Sequence, residues 1–155
     1  MFVDMVGSTE LAAKIGDRQW RDVLKRYHAL VRGKLDQFDG REMGSAGDGF
    51  FATFDRPVQA IRAACAIRDV VRKLSLEVRC GLHTGEAEWV GGNPVGLAVH
   101  IGARIGASAP AGDVLVSGTL HDLVTGARIK FSSLGPRVLR GVPGQWEVFR
   151  VESLG

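Results

Sequence analysis

The sequence predicts an α+β domain with a ferredoxin-like βαββαβ core, an antiparallel sheet and a C-terminal α/β extension. Two observations predict this class: short apolar runs alternate with segments of helical spacing, and turn residues separate them. A third observation is a hairpin signal between the second and third strands. The order is strand 1–6, helix 18–38, hairpin 41–54, helix 57–74 and strand 76–82. In this arrangement both helices lie on one face of the sheet.

The first strand runs directly into a turn. Residues 1–6 are mostly apolar, as expected of a strand that is covered on both faces. Gly7 allows a sharp turn, and Ser8 or Thr9 is suited to cap a following helix. The N–H groups at such a strand-to-helix junction are free and favour an anion.

Two amphipathic helices follow from apolar residues at helical spacing. Asp17 is a candidate cap for the helix at 18–38, and Asp39-Gly40 ends it. Asp55 is a candidate cap for the second helix, and Pro57 suits its first turn. The apolar positions are Trp20, Val23, Leu24, Tyr27, Val31, Leu35 and Phe38 in the first helix, and Val58, Ile61, Cys65, Val71 and Leu74 in the second.

Strands 41–46 and 50–54 flank Gly47-Asp48-Gly49. An Asp-Gly pair suits the positive φ angles of a type I′ turn, so these residues predict a tight hairpin. Residues 76–82 alternate between apolar and polar, which predicts a half-buried strand.

The C-terminal extension contains both helices and strands, and no linker, repeat or low-complexity run interrupts the chain. We therefore expect one domain over residues 1–155. The predicted elements are a polar hairpin at 86–92, a helix at 95–105, a strand at 114–116, a helix at 119–124, and closing strands at 129–134 and 146–151 around a Gly/Pro-rich loop at 135–144.

Composition indicates a globular protein, because 45% of the residues are hydrophobic and 24% are charged. The net charge of +3 suits a small anionic ligand but is too weak to argue for nucleic acid without a local basic cluster. No apolar run approaches 18 residues and no signal peptide is present, so we expect a cytoplasmic protein without a membrane segment. Cys65 and Cys80 fit reduced core thiols. The sequence starts close to its first acidic residue. We therefore expect either one domain of a longer protein or a protein with nothing before its first strand.

Asp4 and Asp48 are the central candidates for a functional site. In the predicted topology the first strand and the hairpin are neighbours, so both carboxylates can lie at one edge of the sheet. A carboxylate beside a phosphate-binding turn needs a cation between the two negative groups. We therefore expect Asp4 and Asp48 to hold a divalent metal against a nucleotide triphosphate. The alternative is a capping Asp and a turn Asp with no joint role.

Taken together, these segments resemble the catalytic domain of class III adenylyl and guanylyl cyclases, in a divergent bacterial branch. The resemblance covers nearly the whole chain. No single motif is specific, but five of them occur in order at the right spacing. Residues 2–9 resemble the first metal motif of the family, and residues 40–54 resemble the second. Residues 79–86 resemble the strand and turn that follow, and residues 99–105 resemble the helix with the transition-state Arg. Residues 112–117 and 139–144 together resemble the closing segments.

The resemblance implies an adenylyl cyclase that converts ATP to 3′,5′-cyclic AMP and pyrophosphate. It implies that Asp4 and Asp48 hold two Mg²⁺ or Mn²⁺ ions and that Arg104 stabilises the transition state. It also implies a homodimer in which one subunit supplies the carboxylates and the other supplies this Arg. The implied phosphate-binding residues are Val6, Gly7, Ser8, Thr9 and Arg140. The alternative for Arg104 is a solvated charge on a helix.

Three positions depart from the family pattern, and they concern the base and the ribose. Gly44 stands where adenylyl cyclases place a purine-reading Lys, and Asn93 stands where an Asp is usual. An amide donates and accepts, so Asn93 suits either purine. His100 stands where an Asn positions the ribose; imidazole is able to donate in its place, and a packed or solvated helix His is the alternative. Selectivity for ATP over GTP therefore stays open.

Two other functions remain open at this point. A degenerate cyclase-like module that binds nucleotide or a partner is favoured by Gly44. A ferredoxin-like nucleic-acid binder is disfavoured, because exposed aromatic residues near basic runs are missing. His83 and His121 have no partners at metal-ligand spacing and are expected to be structural. Trp89 is expected to belong to a dimer arm.

Overall fold

The computed structural model describes all residues from 1 to 155. The N-terminal part contains β1 (Phe2–Met5), α1 (Ser8–Ile15), α2 (Asp17–Gln37), β2 (Arg41–Ala46), β3 (Gly49–Thr53), α3 (Pro57–Arg72) and β4 (Val78–Leu82). The C-terminal part contains β5 (Glu88–Val90), β6 (Asn93–Val95), α4 (Leu97–Ser108), β7 (Val114–Ser117), α5 (Gly118–Leu123), β8 (Ile129–Val138) and β9 (Gln145–Leu154).

Seven strands form one sheet in the order β2-β3-β1-β4-β7-β9-β8, and β5 and β6 form a separate two-stranded arm. The first four strands have the ferredoxin-like order, so the predicted βαββαβ core is confirmed. All neighbours in the sheet are antiparallel except β4 and β7, which are parallel. The predicted mixed α+β class with a mostly antiparallel sheet is therefore confirmed.

The two faces of the sheet are covered by different helices. Along β1, Val3 and Met5 join the main core together with the buried residues of α2 and α3. Phe2 points to the opposite face, where its ring lies next to Gly102 of α4. The expectation of helices on one face holds for α2 and α3, whereas α4 covers the other face. For this reason β4 is buried almost throughout, rather than half-buried as predicted.

The helix α4 approaches β4 at backbone distance. A Cβ atom built on Gly81 would lie 2.1 Å from the Gly106 nitrogen and 2.7 Å from the Gly102 carbonyl oxygen. Three glycines therefore allow this helix to pack directly on the strand. The position of α4 matters below, because the helix carries several of the predicted site residues.

The first helix starts differently from the prediction. Gly7 is the N-cap of α1, with a left-handed φ of 69°, and no side chain caps this end, so Ser8 and Thr9 were the wrong choices. The helix α1 itself was not predicted; it is only eight residues long and none of its residues is buried.

The caps predicted for the next two helices were also wrong. Gly16 precedes α2 with a φ of 82°, and Asp17 lies within the first turn of the helix. Arg56, rather than Asp55, precedes α3, although Pro57 takes the first helical position as predicted. Gly16 links α1 and α2 in a tight turn whose positive φ an aspartate would adopt less readily.

The β2–β3 turn has a positive φ at Gly47, which is 56°, and not at Asp48 or Gly49. A positive φ at the first central residue alone is typical of a type II′ turn, so the type I′ prediction was wrong. The closing strands β8 and β9 are longer than predicted and leave a loop of only residues 139–144. Cys65 and Cys80 are free and buried, as predicted. None of the helices is long and apolar enough to cross a membrane.

Candidate active site

The two predicted carboxylates lie together at one end of the sheet. The register pairs Val3 with Phe50, so Asp4, the third residue of β1, is next to the turn that carries Asp48. The pKa of the Asp48 carboxyl is raised above its ordinary value by burial, and the polar side chain of Ser8 opposes this shift. The negative charge of Asp4 raises the pKa of Asp48 further. The two predicted carboxylates therefore lie close enough for the charge of Asp4 to act on Asp48.

Asp48 has the chemical environment of a cation ligand. Its Oδ2 atom is buried and has no hydrogen-bond partner within the chain. A buried, unpaired carboxylate oxygen is costly unless a cation or a proton compensates it. No group of three or more His, Cys, Asp or Glu side chains is present that could hold a metal ion. A hard divalent cation would fit Asp4 and Asp48 and would need further oxygen ligands from backbone, water or substrate phosphates.

Two side chains of α2 support the turn that carries Asp48. The Tyr27 hydroxyl donates to the Asp48 carbonyl oxygen at 2.7 Å, and Nε2 of His28 lies 2.6 Å from the Gly47 carbonyl oxygen. Tyr27 is fully buried, and burial raises the pKa of its hydroxyl, which therefore stays a donor. The sequence showed Tyr27 only as an apolar position of a helix. Its role in the turn depends on α2 lying against β3, which periodicity does not show.

The predicted phosphate-binding turn lies beside the carboxylates. The Val6 N–H is already used, since it donates to the Glu77 carbonyl at 2.8 Å. The N–H groups of Gly7, Ser8 and Thr9 donate to no backbone acceptor. Together with the N-terminus of α1, these three groups are available to an anion.

Arg79 is a site residue that the sequence analysis missed. Its Nη2 atom lies 3.0 Å from Oδ2 of Asp4, and its Nη1 atom donates to the Ala107 carbonyl at 3.0 Å. Arg79 faces Asp4 across the β1–β4 pair. The sequence placed Arg79 on the polar side of a half-buried strand and gave no sign that it needs a partner; the burial of β4 by α4 creates that need. That this partner is Asp4 follows only from the strand register.

The other predicted charged and polar residues do not meet the carboxylates of their own chain. His100 and Arg104 are exposed on α4, Asn93 is exposed at the start of β6, and Arg140 is exposed in the loop at 139–144. Arg104 takes part in none of the ion pairs of the chain. The structure thus separates the metal candidates from the predicted transition-state and ribose residues.

Two cavities open on the α4 face of the sheet, on either side of an aromatic pair. Phe2 and Phe51 stack in parallel with ring centroids 4.6 Å apart, and both line both cavities. The larger cavity, of about 500 Å³, contains Asp4, Arg79 and Gly44. A Cβ atom on Gly44 would meet nothing within 4 Å, so the position predicted to read the purine is open space.

The smaller cavity, of about 250 Å³, has a lining of mixed polarity that includes Pro94 and Val99. Asn93 and His100, the predicted base and ribose residues, do not line this cavity, although their chain neighbours Pro94 and Val99 do. His83 also lines it, and its Nδ1 atom is 2.6 Å from the Ser117 hydroxyl. Burial lowers the pKa of His83, which favours its neutral form.

Comparison with known proteins identifies the family. Residues 1–153 match the adenylate and guanylate cyclase catalytic domain. The chain therefore belongs to this family, as its motifs predicted. Among curated relatives, the uncharacterized Mycobacterium tuberculosis protein Rv1319c is 33% identical over 162 residues, covering 91% of this chain and 30% of that protein. The uncharacterized protein Rv2212 of the same organism is 29% identical over 125 residues, covering 79% of this chain and 33% of that protein. The chain thus spans about a third of the length of these relatives.

Solved cyclase structures have the same fold. The adenylyl cyclase CyaB from P. aeruginosa superimposes with a TM-score of 0.87 at 20% identity, covering 98% of this chain and 91% of that chain. The guanylate cyclase domain of RhGC from Catenaria anguillulae, in complex with GTP, has a TM-score of 0.87 at 17% identity. The match covers 99% of this chain and 94% of that chain. Because both adenylyl and guanylyl cyclases are similar to this degree, the fold supports a nucleotide cyclase of either kind.

Proposed function

We propose that this chain is the catalytic domain of an adenylyl cyclase, which forms 3′,5′-cyclic AMP and pyrophosphate from ATP at the interface of a homodimer. The observation that carries the proposal is the pairing of Asp4 with Asp48, whose Oδ2 atom is buried without a partner. This pair lies beside free backbone N–H groups at the start of α1, so cation and phosphate ligands are adjacent.

In the reaction, the ribose 3′-oxygen bonds to the α-phosphorus, the bond from that phosphorus to the bridging oxygen breaks so that pyrophosphate leaves, and the proton of the 3′-hydroxyl passes to water. Two Mg²⁺ or Mn²⁺ ions, when bound, lower the pKa of the attacking hydroxyl and neutralise the triphosphate. Asp4 and Asp48 are the residues that would hold them. The N–H groups of Gly7, Ser8 and Thr9 orient the leaving pyrophosphate, with Arg140 as a further candidate contact. Arg104 donates to the α-phosphate oxygens as charge develops there.

The separation of the two residue sets supports the proposed homodimer. Arg104 and His100 are exposed on α4 and do not contact Asp4 or Asp48 of the same chain. A second copy presenting its α4 would complete each site. The β5–β6 arm exposes Trp89 with 57% of its surface accessible, which suits burial against that copy, as expected for a dimer arm.

ATP is proposed over GTP because adenylyl cyclases predominate in the bacterial branch that the sequence resembles. The cavity residues do not favour either base: Gly44 offers no side chain, and the Asn93 amide suits both purines. We therefore expect weak discrimination between the two nucleotides.

The test is an assay of the purified protein with ATP and GTP in parallel, against Mn²⁺ and Mg²⁺, at several protein concentrations. Activity that falls faster than the enzyme is diluted would indicate a site shared between chains. Asp48→Asn should lower turnover by ~10²-fold or more, as the loss of a transition-state stabiliser does. Asp22→Asn, at an exposed position of α2, is the matched control and should leave turnover unchanged. A protein that binds nucleotide and Mn²⁺ but forms no cyclic nucleotide would contradict the proposal.

That outcome would instead favour the second candidate, a catalytically weak or inactive cyclase-like module that binds nucleotide or a partner and acts in regulation. The open space at Gly44 is the observation that favours it, since no side chain there fixes the base. Nucleotide binding without turnover, together with assembly with a different cyclase domain, would distinguish the two candidates.

A further inference from the structure

Arg79 connects the carboxylate site to the far end of α4. Its guanidinium donates to Oδ2 of Asp4 through Nη2 at 3.0 Å and through Nε at 3.4 Å. The third donor, Nη1, reaches the carbonyl oxygen of Ala107 at 3.0 Å. A planar group with donors on several edges is able to hold two partners at once, which a Lys ammonium at the end of a flexible chain does less well.

Ala107 lies in the last turn of α4, three residues after Arg104. The final carbonyl groups of a helix have no partner within it, and a cation placed there also complements the helix dipole. Arg79 therefore fixes the turn of α4 that follows Arg104. Because Gly106 packs directly on Gly81, α4 and β4 have little freedom to move independently, so a displacement of one is transmitted to the other.

In the shared-site dimer proposed above, Asp4 belongs to one active site, while Arg104 of the same chain belongs to the other. We propose that Arg79 is a positioning residue that couples the two active sites of the dimer, by tying the metal-site carboxylate Asp4 of one site to the helix that delivers Arg104 to the other. This inference rests on the proposed function.

The physical basis of the coupling is competition for Asp4. A cation bound to Asp4 neutralises part of the negative charge with which Arg79 pairs. The ion pair between Arg79 and Asp4 therefore weakens, and the contact of Arg79 with α4 changes. The side chains of Arg79 and Asp4 are 34% and 44% exposed, so solvent screens the pair. We therefore expect a coupling of modest size, about fivefold to tenfold in turnover, at the lower end of the usual range.

The test uses mixed dimers with a single complete site. One protomer carries Arg104→Ala and keeps its carboxylates; its partner carries Asp48→Asn and keeps Arg104. Neither parent homodimer should turn over, and the mixed dimer, isolated through two different tags, should regain one site. Arg79→Gln is then added to the Asp48→Asn protomer. Because the Arg79 of that protomer belongs to the disabled site, it cannot contact the cation or the nucleotide of the complete one.

The coupling predicts that this added Arg79→Gln lowers kcat of the complete site about fivefold to tenfold with little change in KM. Asp4→Asn in the same protomer should have a similar effect, because Arg79 then loses its carboxylate. Arg79→Lys should lower kcat less than Arg79→Gln does. Unchanged turnover with both Arg79→Gln and Asp4→Asn would overturn the coupling while leaving the shared site intact. A mixed dimer that regains no activity would overturn the shared site, and the coupling with it.

A readout apart from turnover separates positioning from damage to the fold. In the Arg79→Gln homodimer, Asp4 has no competing cation, so Mn²⁺ affinity measured by electron paramagnetic resonance without nucleotide should rise about twofold to fivefold, the range of an exposed ion pair. Local disorder would lower both affinity and turnover. Weaker Mn²⁺ binding in both Arg79→Gln and Arg79→Lys would therefore contradict the proposal.

Discussion

The contact between Gly81 and Gly106 provides a quantitative test of how α4 is held. In Gly81→Ala the new Cβ would lie 2.1 Å from the Gly106 nitrogen and 2.4 Å from the Gly106 Cα. Ordinary contact begins at 3.4 Å, so one backbone has to move by about 1.3 Å. The atoms that clash are backbone atoms, which cannot rotate away as a side chain could. The whole helix has to shift.

We expect Gly81→Ala to destabilise the fold by about 3 kcal/mol, the upper part of the range for overpacked cores. For a chain of this size, that corresponds to a fall in Tm of about 6 to 12 °C. Since α4 carries Arg104, a shift of about 1 Å should also lower turnover by about 10²-fold. Urea unfolding monitored by circular dichroism gives the stability, and the cyclase assay in Mn²⁺ gives the turnover.

Gly33→Ala is the matched control. Gly33 lies inside α2 and has no positive φ, and a Cβ atom added there would meet nothing within 4 Å. Alanine should therefore stabilise that helix by about 0.5 to 1 kcal/mol. Gly106→Ala should cost less than Gly81→Ala, because its nearest contact would be 3.2 Å. A Gly81→Ala protein with the stability and turnover of the parent would refute the direct packing of α4 on β4.

Three further predictions concern the turn, the buried imidazole and the base position. Tyr27→Phe removes the 2.7 Å hydrogen bond to the Asp48 carbonyl oxygen. It should lower the free energy of unfolding in urea by about 1 kcal/mol and weaken Mn²⁺ binding. If neither quantity changes, α2 does not support this turn. Burial lowers the pKa of His83 below 6.5, so the unfolded chain binds a proton that the folded chain does not, and stability should decrease as the pH falls below about 6.5. Urea unfolding at pH 7.5 and 5.5 should show this loss in the parent but not in His83→Asn, and equal losses would contradict it. Gly44→Lys fills open space at the position predicted to read the purine. It should raise kcat/KM for ATP relative to kcat/KM for GTP about tenfold, which is the effect of one hydrogen bond to a charged group. An unchanged ratio would show that the base lies elsewhere.

The paired carboxylates could be anticipated because the order of elements limits the topology. A βαββαβ chain places its first and third strands side by side, so Asp4 and Asp48 had to approach once the order was known. Helix and strand positions were also accessible, since apolar spacing reports which residues are buried. Helix ends were harder to predict. Gly7 and Gly16 are the N-caps of α1 and α2, whereas side-chain preferences favoured Ser8 and Asp17.

The family, the βαββαβ order of the core and the acidic pair follow from the amino-acid sequence alone, because periodicity, turn residues and motif spacing are local properties of the chain. Three features required the folded molecule: α4 covers the second face, Tyr27 supports the turn of Asp48, and Arg79 joins Asp4 to Ala107. Each of these contacts joins elements far apart in the chain. Their partners are selected by strand register and helix packing, which depend on the whole fold rather than on any one segment.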